Sequence, residues 1–226
     1  RLLRFLYVSS AFLKRRHQEV RYDLIHIHNI PDFLVYAAWY PRWTGAKLIL
    51  DIHDLVPELF MNKFSVRSGS LAVKFLKLIE KASCRFVDHV IASNDIWFET
   101  LTDRSVAPQK CSVFLNHVDE SVFFSRTRTR QDGKVIILFP GSFQWHQGLD
   151  IAIEAFNLLT DAVPGAELHI YGGGPMKKSL IQLVADRGLQ GRVKFFGGVS
   201  LDAIADVIAN ADLGVVPKRT DTFGNE

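Results

Sequence analysis

Short, continuous apolar runs alternate with segments of helical spacing along the whole chain, and this alternation limits the folds open to it. Runs such as Leu48-Ile49-Leu50 and Ile136-Ile137-Leu138 lack the alternating polar residues of a strand with one face in water. Strands buried on both faces belong to parallel sheets, which need crossover helices between successive strands. The pattern therefore predicts a doubly wound α/β fold.

The alternation predicts four strands in each half of the chain, with helices between them. We predict strands at 22–28, 47–52, 89–92, 112–115, 135–139, 168–171, 193–196 and 213–216. We predict helices at 2–20, 71–86, 96–101, 149–159, 176–186 and 201–209, a loop at 53–58, and a helix that opens at Pro31 and is kinked or ended by Pro41.

One polar stretch, residues 126–133, has no apolar period and is the best linker candidate. The 226 residues exceed one typical domain. We therefore predict two Rossmann-like units, residues 1–125 and 126–226, with the boundary between about residues 119 and 134.

Composition excludes several classes of protein. The net charge of +3 is too small to argue for nucleic acid. The sequence contains no run of 18 apolar residues, so we expect no transmembrane helix. The only cysteines, Cys84 and Cys111, lack metal-ligand spacing, so a reduced, cytoplasmic protein is the simplest interpretation.

The predicted first helix combines apolar residues with a strongly basic set. One interpretation is a surface helix with a solvated charged side. The other is contact with an anionic membrane surface. The basic residues are Arg1, Arg4, Lys14, Arg15, Arg16 and Arg21.

Two glycine-rich segments each join a strand to a helix: 141–148 and 171–175. Glycine lets a ligand approach the backbone, and a helix N-terminus offers N–H groups to an anion. Either segment is thus a candidate phosphate site, but each is also compatible with an ordinary strand-to-helix turn.

His26, His28, Asp51 and His53 form a set on two predicted strands, with Asp54 beside them. Residues two apart on a strand share a face, so these groups can meet at the ends of neighbouring strands. Three interpretations stay open: a metal site of a hydrolase, a polar site that contacts a sugar or moves a proton, and histidines with only structural hydrogen bonds.

In order and spacing, the motifs of this chain resemble those of the group 1 (family 4) retaining glycosyltransferases, whose fold is of the GT-B type. The resemblance covers nearly the whole chain. It is carried by His26-Ile27-His28-Asn29, Asp51-Ile52-His53-Asp54, Phe114-Leu115-Asn116-His117-Val118-Asp119, residues 141–150 with Glu154-Ala155-Phe156, Ile170-Tyr171-Gly172-Gly173-Gly174-Pro175, Phe196-Gly197-Gly198-Val199-Ser200, and the run 210–217.

The resemblance implies an α/β protein with two Rossmann-like domains, both incomplete, whose parallel sheets are flanked by helices. We expect the chain alone to be inactive, because Glu226 would be only the first glutamate of the family's Glu pair. The first domain would face the acceptor and the second would hold the donor.

The resemblance also implies the activity: transfer of a sugar, with retention, from a nucleotide diphosphate sugar to a glycan, lipid-linked or other acceptor, in surface polysaccharide or glycoconjugate synthesis. The nucleotide sugar is a co-substrate, and we expect neither a cofactor nor a metal at His26, His28 and His53. We expect no nucleic-acid partner and a cytoplasmic location, with peripheral contact at the inner face of the cell membrane.

The family's site residues map onto this chain as follows. The catalytic residues would be His53 and Glu226, and the residues at the acceptor or cleft would be His28, Asn29, Asp54 and Asn116. Those at the donor would be Gly141, Ser142, Gln147, Gly148, Gly172, Gly173, Gly174, Pro175, Gly198, Val199 and Lys218.

Two neutral residues depart from the family pattern. Ser142 and Gln147 stand where the family usually has Arg and Lys for the donor diphosphate, and charge-assisted bonds are stronger than neutral ones. His146, Lys218 and Arg219 are the candidates to compensate. This departure motivates one alternative, a non-catalytic sugar-nucleotide-binding protein; the other is a metal-dependent hydrolase that uses His26, His28 and His53.

Overall fold

The computed structural model describes residues 1–219 and shows two sheets of four strands, all paired in parallel. The chain divides into two compact units after His117. The predicted parallel α/β architecture is confirmed.

The first unit contains the sheet of order β1-β2-β3-β4. Its central strands are apolar, and Leu48, Leu50 and Ile52 are buried between the flanking helices. The strands are Leu24–His28 (β1), Lys47–Ile52 (β2), His89–Ala92 (β3) and Cys111–Val113 (β4). The helices are Leu2–Glu19 (α1), Trp39–Trp43 (α2), Val56–Phe64 (α3), Leu71–Phe86 (α4) and Asp95–Arg104 (α5), with 3-10 turns at Asp32–Ala38 and Pro108–Lys110.

The second unit contains the sheet of order β7-β6-β5-β8. Its core packs Phe143, Ile153 and Ile170, all fully buried, between the sheet and helices. The strands are Val135–Ser142 (β5), Ala166–Gly173 (β6), Val193–Phe196 (β7) and Leu213–Gly214 (β8). The helices are Leu149–Leu159 (α6), Lys177–Asp186 (α7) and Leu201–Ala209 (α8), with a 3-10 turn at Trp145–Gln147.

Two local predictions in the first unit are wrong. Pro41 lies inside α2 and does not end a helix there, because a proline in the first turn removes an N–H that has no helical acceptor. The predicted loop at 53–58 is cut short, since α3 begins at Val56 with Pro57 at its start. In both helices the proline lies in the first turn, where it is tolerated.

The polar stretch at 126–133 contains no helix or strand, as predicted, but it is fixed to the second unit. Arg126 forms an ion pair with Asp206, and both Arg128 and Arg130 form ion pairs with Asp212. The Asp212 carboxylate also accepts the Ile136 N–H at the start of β5 (2.7 Å), and these bonds lower its pKa. The stretch therefore belongs to the second unit, while the predicted boundary between residues 125 and 126 stays a prediction.

Candidate functional site

At the carboxyl end of the first sheet, three imidazoles surround one carboxylate oxygen. Parallel pairing of β1 with β2 puts His28 opposite Asp51. Asp51 Oδ2 lies 3.1 Å from His26 Nε2, 3.3 Å from His28 Nδ1 and 3.4 Å from His53 Nε2. His28 Nδ1 and His53 Nε2 are 3.2 Å apart. The four residues predicted as a set therefore do meet.

The cluster is open to solvent on the histidine side and closed on the carboxylate side. The Asp51 side chain is 11% exposed, whereas those of His28 and His53 are 60% and 40% exposed. The rings of His26 and His28 stack with centroids 4.6 Å apart. A ligand can thus reach the imidazoles from solvent, while the buried Asp51 carboxylate orients them from the protein side.

The loop that carries His53 is held by the Asn29 side chain. Asn29 Oδ1 accepts the His53 N–H (3.0 Å), and Asn29 Nδ2 donates to the Asp54 carbonyl (2.6 Å) and to Asp32 Oδ1 (3.0 Å). Asp32 is buried, and this burial raises its pKa to about 6 although the bond from Asn29 opposes the shift. The resemblance predicts Asn29 at the acceptor, which stays a prediction; the structure shows that Asn29 holds the His53 loop.

The other side of the same loop is held by Ser93, the residue after β3, and by α5. The His53 carbonyl accepts the Ser93 hydroxyl (3.2 Å) and Trp97 Nε1 (3.1 Å). Together with the bond from the His53 N–H to Asn29, these contacts hold both backbone polar groups of His53. The imidazole therefore projects from a backbone that is fixed on both sides. Asp54 and Asn116, the remaining first-unit candidates, are exposed, and Asn116 lies in the loop after β4.

In the second unit, the two glycine-rich segments pack directly on each other. Gly141 pairs with Gly172 at the ends of β5 and β6, and the Phe143 N–H donates to the Gly173 carbonyl (2.9 Å). Gly172 has φ +131°, and a Cβ there would lie 1.9 Å from the Gly141 carbonyl oxygen. Glycine at 172 is therefore required by this backbone contact, whatever ligand approaches.

Four of the predicted donor residues line one cavity at this end of the sheet. The cavity measures about 350 Å³, within the range of small-molecule sites. The four are Gly141, Gly172, Gly198 and Val199. Its remaining wall is largely apolar, formed by Phe123, Pro140, Tyr171, Ile204 and Ile208.

The other predicted donor residues lie around this end of the sheet. Gly148 is in a left-handed conformation just before α6, and its missing Cβ leaves room for the Pro217 carbonyl, which a Cβ would approach to 1.8 Å. Gly173 ends β6, and Gly174 and Pro175 lie between β6 and α7; all three are exposed. Glu226 lies outside the described residues.

The two neutral residues at the expected cation positions and the basic residues that could compensate for them differ in their contacts. Ser142 is exposed, and Gln147 Nε2 is 3.3 Å from His146 Nε2. The Arg219 guanidinium forms an ion pair with Asp150, donates to the Trp145 carbonyl (3.1 Å) and lies 3.5 Å from the centre of the Trp145 ring. Arg219 thus holds the segment 145–150, which joins β5 to α6, whereas Lys218 is exposed.

The comparisons with known proteins match both halves of the chain. Residues 1–122 match Glycosyltransferase Family 4, and residues 123–225 match Glycosyl transferases group 1. The chain belongs to glycosyltransferase family 4.

Curated relatives of this glycosyltransferase chain include named sugar transferases. It is 23% identical to the 2-deoxystreptamine N-acetyl-D-glucosaminyltransferase of Niallia circulans, over 90% of the chain and 54% of that protein. It is 32% identical to the alpha-D-kanosaminyltransferase of Streptomyces kanamyceticus, over 44% of the chain and 26% of that protein. The chain spans about half the length of the curated relatives that match most of it.

Solved structures of glycosyltransferases share the fold. Sucrose-phosphate synthase from Thermosynechococcus elongatus aligns with a TM-score of 0.72 at 20% identity, over 100% of the chain and 57% of that structure. Anabaena HepE in complex with UDP-glucose aligns with a TM-score of 0.65 at 19% identity, over 91% and 55%. The GT-B fold class is confirmed, and the metal-dependent hydrolase is not favoured.

Among residues 1–219, no helix combines the length and apolar character that crossing a bilayer requires.

Sequence reasoning missed several residues in or beside the candidate sites. Ser93 and Trp97 donate to the His53 carbonyl, and Asp32 holds the Asn29 side chain; a local motif gives no signal for such contacts. Lys177 and Lys178, exposed in the first turn of α7, had a signal: basic residues at a helix N-terminus oppose the helix dipole. Stability of α7 therefore does not explain why lysines occupy these two positions.

We expect Gly172→Ala to destabilise the second unit by more than about 2 kcal/mol, because alanine is strained at this φ and meets the Gly141 carbonyl. Gly173→Ala is the matched control, since a Cβ there meets no described atom within 4 Å. We expect it to cost less than about 1 kcal/mol. Urea denaturation of both variants measures the difference; equal losses would contradict the packing argument.

Proposed function

We propose that this chain supplies the nucleotide-sugar and sugar-contacting parts of a retaining glycosyltransferase. The observation that carries the proposal is the cavity of about 350 Å³ at the carboxyl end of the second sheet. In open α/β sheets, ligands bind outside the carboxyl ends of the strands. The related HepE was solved with UDP-glucose, a ligand of the proposed class.

In this proposal, Gly198 and Val199 contact the base in the cavity. The diphosphate lies near the segments 141–148 and 172–175, each of which leads into a helix whose N-terminus favours an anion. Fixed dipoles then stabilise the charge that develops on the leaving diphosphate. Neither a cofactor nor a metal is needed for that step.

His53 contacts the sugar being transferred and its acceptor, together with His28 and Asp54. The rigid backbone of His53 supports this role, since a side chain must be held within a fraction of an ångström to position a reacting group. Asn29 acts as a positioning residue. Glu226 is proposed as the partner on the donor side on the strength of the family motif alone.

A panel of nucleotide sugars tests the proposal most directly. We expect one nucleotide sugar to stabilise the 226-residue chain by about 2.7 kcal/mol at 100 times its dissociation constant, seen as a shift in thermal unfolding. The free sugar alone should give no shift. Val199→Asp should abolish the shift, whereas Val216→Asp, a change at an exposed valine outside this cavity, should not.

Stabilisation by none of the nucleotide sugars, or an equal response in the two valine variants, would contradict the assignment of the cavity. Transfer with retention is tested separately, in a longer protein that contains this chain, by the anomeric configuration of the product. Binding without transfer there would favour the non-catalytic binder that Ser142 and Gln147 suggest.

We also propose that restoring the family's cations tightens donor binding. Gln147→Lys, alone and with Ser142→Arg, should add charge-assisted bonds to the diphosphate worth about 1.5–3 kcal/mol each, or roughly tenfold or more in affinity. The gain should shrink with added salt. Gln144→Lys, an exposed position in the same loop, is the control for a general charge effect. If Gln144→Lys and Gln147→Lys have equal effects, residue 147 does not face the diphosphate.

The acceptor is proposed to be a glycan or a lipid-linked molecule in polysaccharide or glycoconjugate synthesis, used in the cytoplasm at the inner face of the membrane. Two surfaces support contact with an anionic bilayer. Basic α1 exposes Leu3 (77%) and Phe5 (57%), and α4 exposes Phe75 (61%) and Leu78 (62%) near Lys74.

We expect the chain to sediment with vesicles that contain phosphatidylserine and less with phosphatidylcholine alone, because each basic residue near an anionic surface contributes about 1 kcal/mol. Leu3→Ser/Phe5→Ser and Phe75→Ser/Leu78→Ser each test one helix. Leu158→Ser changes an equally exposed leucine of α6 and should have no effect. Unchanged sedimentation of both double variants would rule out these surfaces.

A further inference from the structure

Three donor atoms at the carboxyl end of the first sheet form a nearly equilateral triangle. The distances are 3.2 Å from His28 Nδ1 to His53 Nε2, 3.3 Å from His28 Nδ1 to Asp51 Oδ2, and 3.4 Å from His53 Nε2 to Asp51 Oδ2. In tetrahedral zinc sites the bonds measure about 2.0–2.1 Å, which puts neighbouring ligand atoms about 3.3–3.4 Å apart. The triangle therefore has the edge lengths of one face of such a site.

A fourth candidate ligand stands beside the triangle. His26 Nε2 lies 3.1 Å from Asp51 Oδ2, and ligand atoms of His26, His28 and Asp51 all lie within 4.8 Å of one another. His26 can either ligate or hydrogen-bond the ligating carboxylate, which is the usual outer contact of a metal ligand. Both outcomes strengthen a site at this position.

The fold organises these atoms before any ligand arrives. The register of β1 on β2 puts His28 opposite Asp51, and Asn29 and Trp97 fix the backbone of His53. The imidazoles remain 40–60% exposed, which leaves an entry path and room for an exogenous fourth ligand. Three protein ligands with an open position are the arrangement of an accessible metal site rather than a closed structural one.

We propose that His28, His53 and Asp51 bind a divalent transition metal of the zinc type. Two imidazoles and one carboxylate suit such ions, whereas Mg²⁺ and Ca²⁺ prefer all-oxygen sites. The proposal replaces the expectation, drawn from the family resemblance, that these histidines hold no metal. It concerns ion binding, not hydrolysis.

Binding of the ion has a consequence that rests on the proposed function. If His53 and His28 contact the sugar, an ion held by both removes their nitrogen atoms from that contact. Zinc should then inhibit transfer, and removing it with a chelator should restore activity. The site would make the transferase sensitive to available zinc without requiring zinc for the reaction.

The test is titration of the 226-residue chain with Zn²⁺ alone, followed by calorimetry, and with Co²⁺, followed by visible absorption. We expect one ion per chain, with affinity that falls as pH falls because the ligands must be deprotonated. His28→Gln and His53→Gln should each weaken binding by at least about tenfold. Both side chains are largely exposed, so these variants should fold; circular dichroism checks that.

His117→Gln, which changes an exposed histidine outside the cluster, is the matched control and should bind as the parent chain does. Excess Mg²⁺ should not displace Co²⁺. Failure to bind one ion, or equal affinities in His28→Gln, His53→Gln and His117→Gln, would overturn the site.

Transfer by a longer protein that contains the chain separates this proposal from the proposed function. Transfer that proceeds in a protein shown to bind no zinc overturns the metal site and leaves the function standing. Stoichiometric zinc binding with unimpaired transfer supports the site and overturns the contact between His53 and the sugar.

Discussion

The parallel pairing of β1 with β2 is the constraint on which the first unit's site depends. It sets His28 opposite Asp51 and continues past the strand end, where the Asn29 N–H donates to the Asp51 carbonyl (3.0 Å). Side chains alternate between the two faces of a strand, so a slip of one residue would move His26 and His28 to the opposite face from Asp51. The cluster therefore exists only in this register of β1 on β2.

In the second unit, strand pairing also brings the candidate site together, but here through backbone atoms and not side chains. β5 and β6 stay paired to their last residues, Ser142 and Gly173, so the two loops leave the sheet in contact. A side chain at 172 would force those ends apart. The cavity beside Gly172 is therefore a product of strand pairing. Gly172, one of the glycines that suggest a phosphate site in the sequence, is required by the backbone whether or not a phosphate binds.

Gly172 can be explained by packing or by a ligand, and this ambiguity shows what the sequence could and could not predict. Apolar runs and helical spacing identified the strands and most helices, because burial on both faces leaves a continuous local signal. They also identified the histidine set, since residues two apart share a face. Whether Gly172 serves packing or a ligand depends on Gly141, which lies far away in the chain. The roles of Asn29, Trp97 and Arg219 are likewise set by partners on other elements, and such contacts leave no local pattern.

The histidine cluster has one geometry that can serve two kinds of ligand. A sugar hydroxyl needs a hydrogen-bond partner at about 2.7–3 Å, and a zinc ion needs a lone pair at about 2 Å. His28 Nδ1 and His53 Nε2, 3.2 Å apart, can converge on either one without a change in backbone. Both ligands use the same nitrogen atoms, so they exclude each other. Under the two proposals, an ion and a sugar would compete at His53 because of the spacing that the sheet imposes, and the hydrogen bonds of Asn29, Ser93 and Trp97 to the loop leave the cluster little freedom to avoid it.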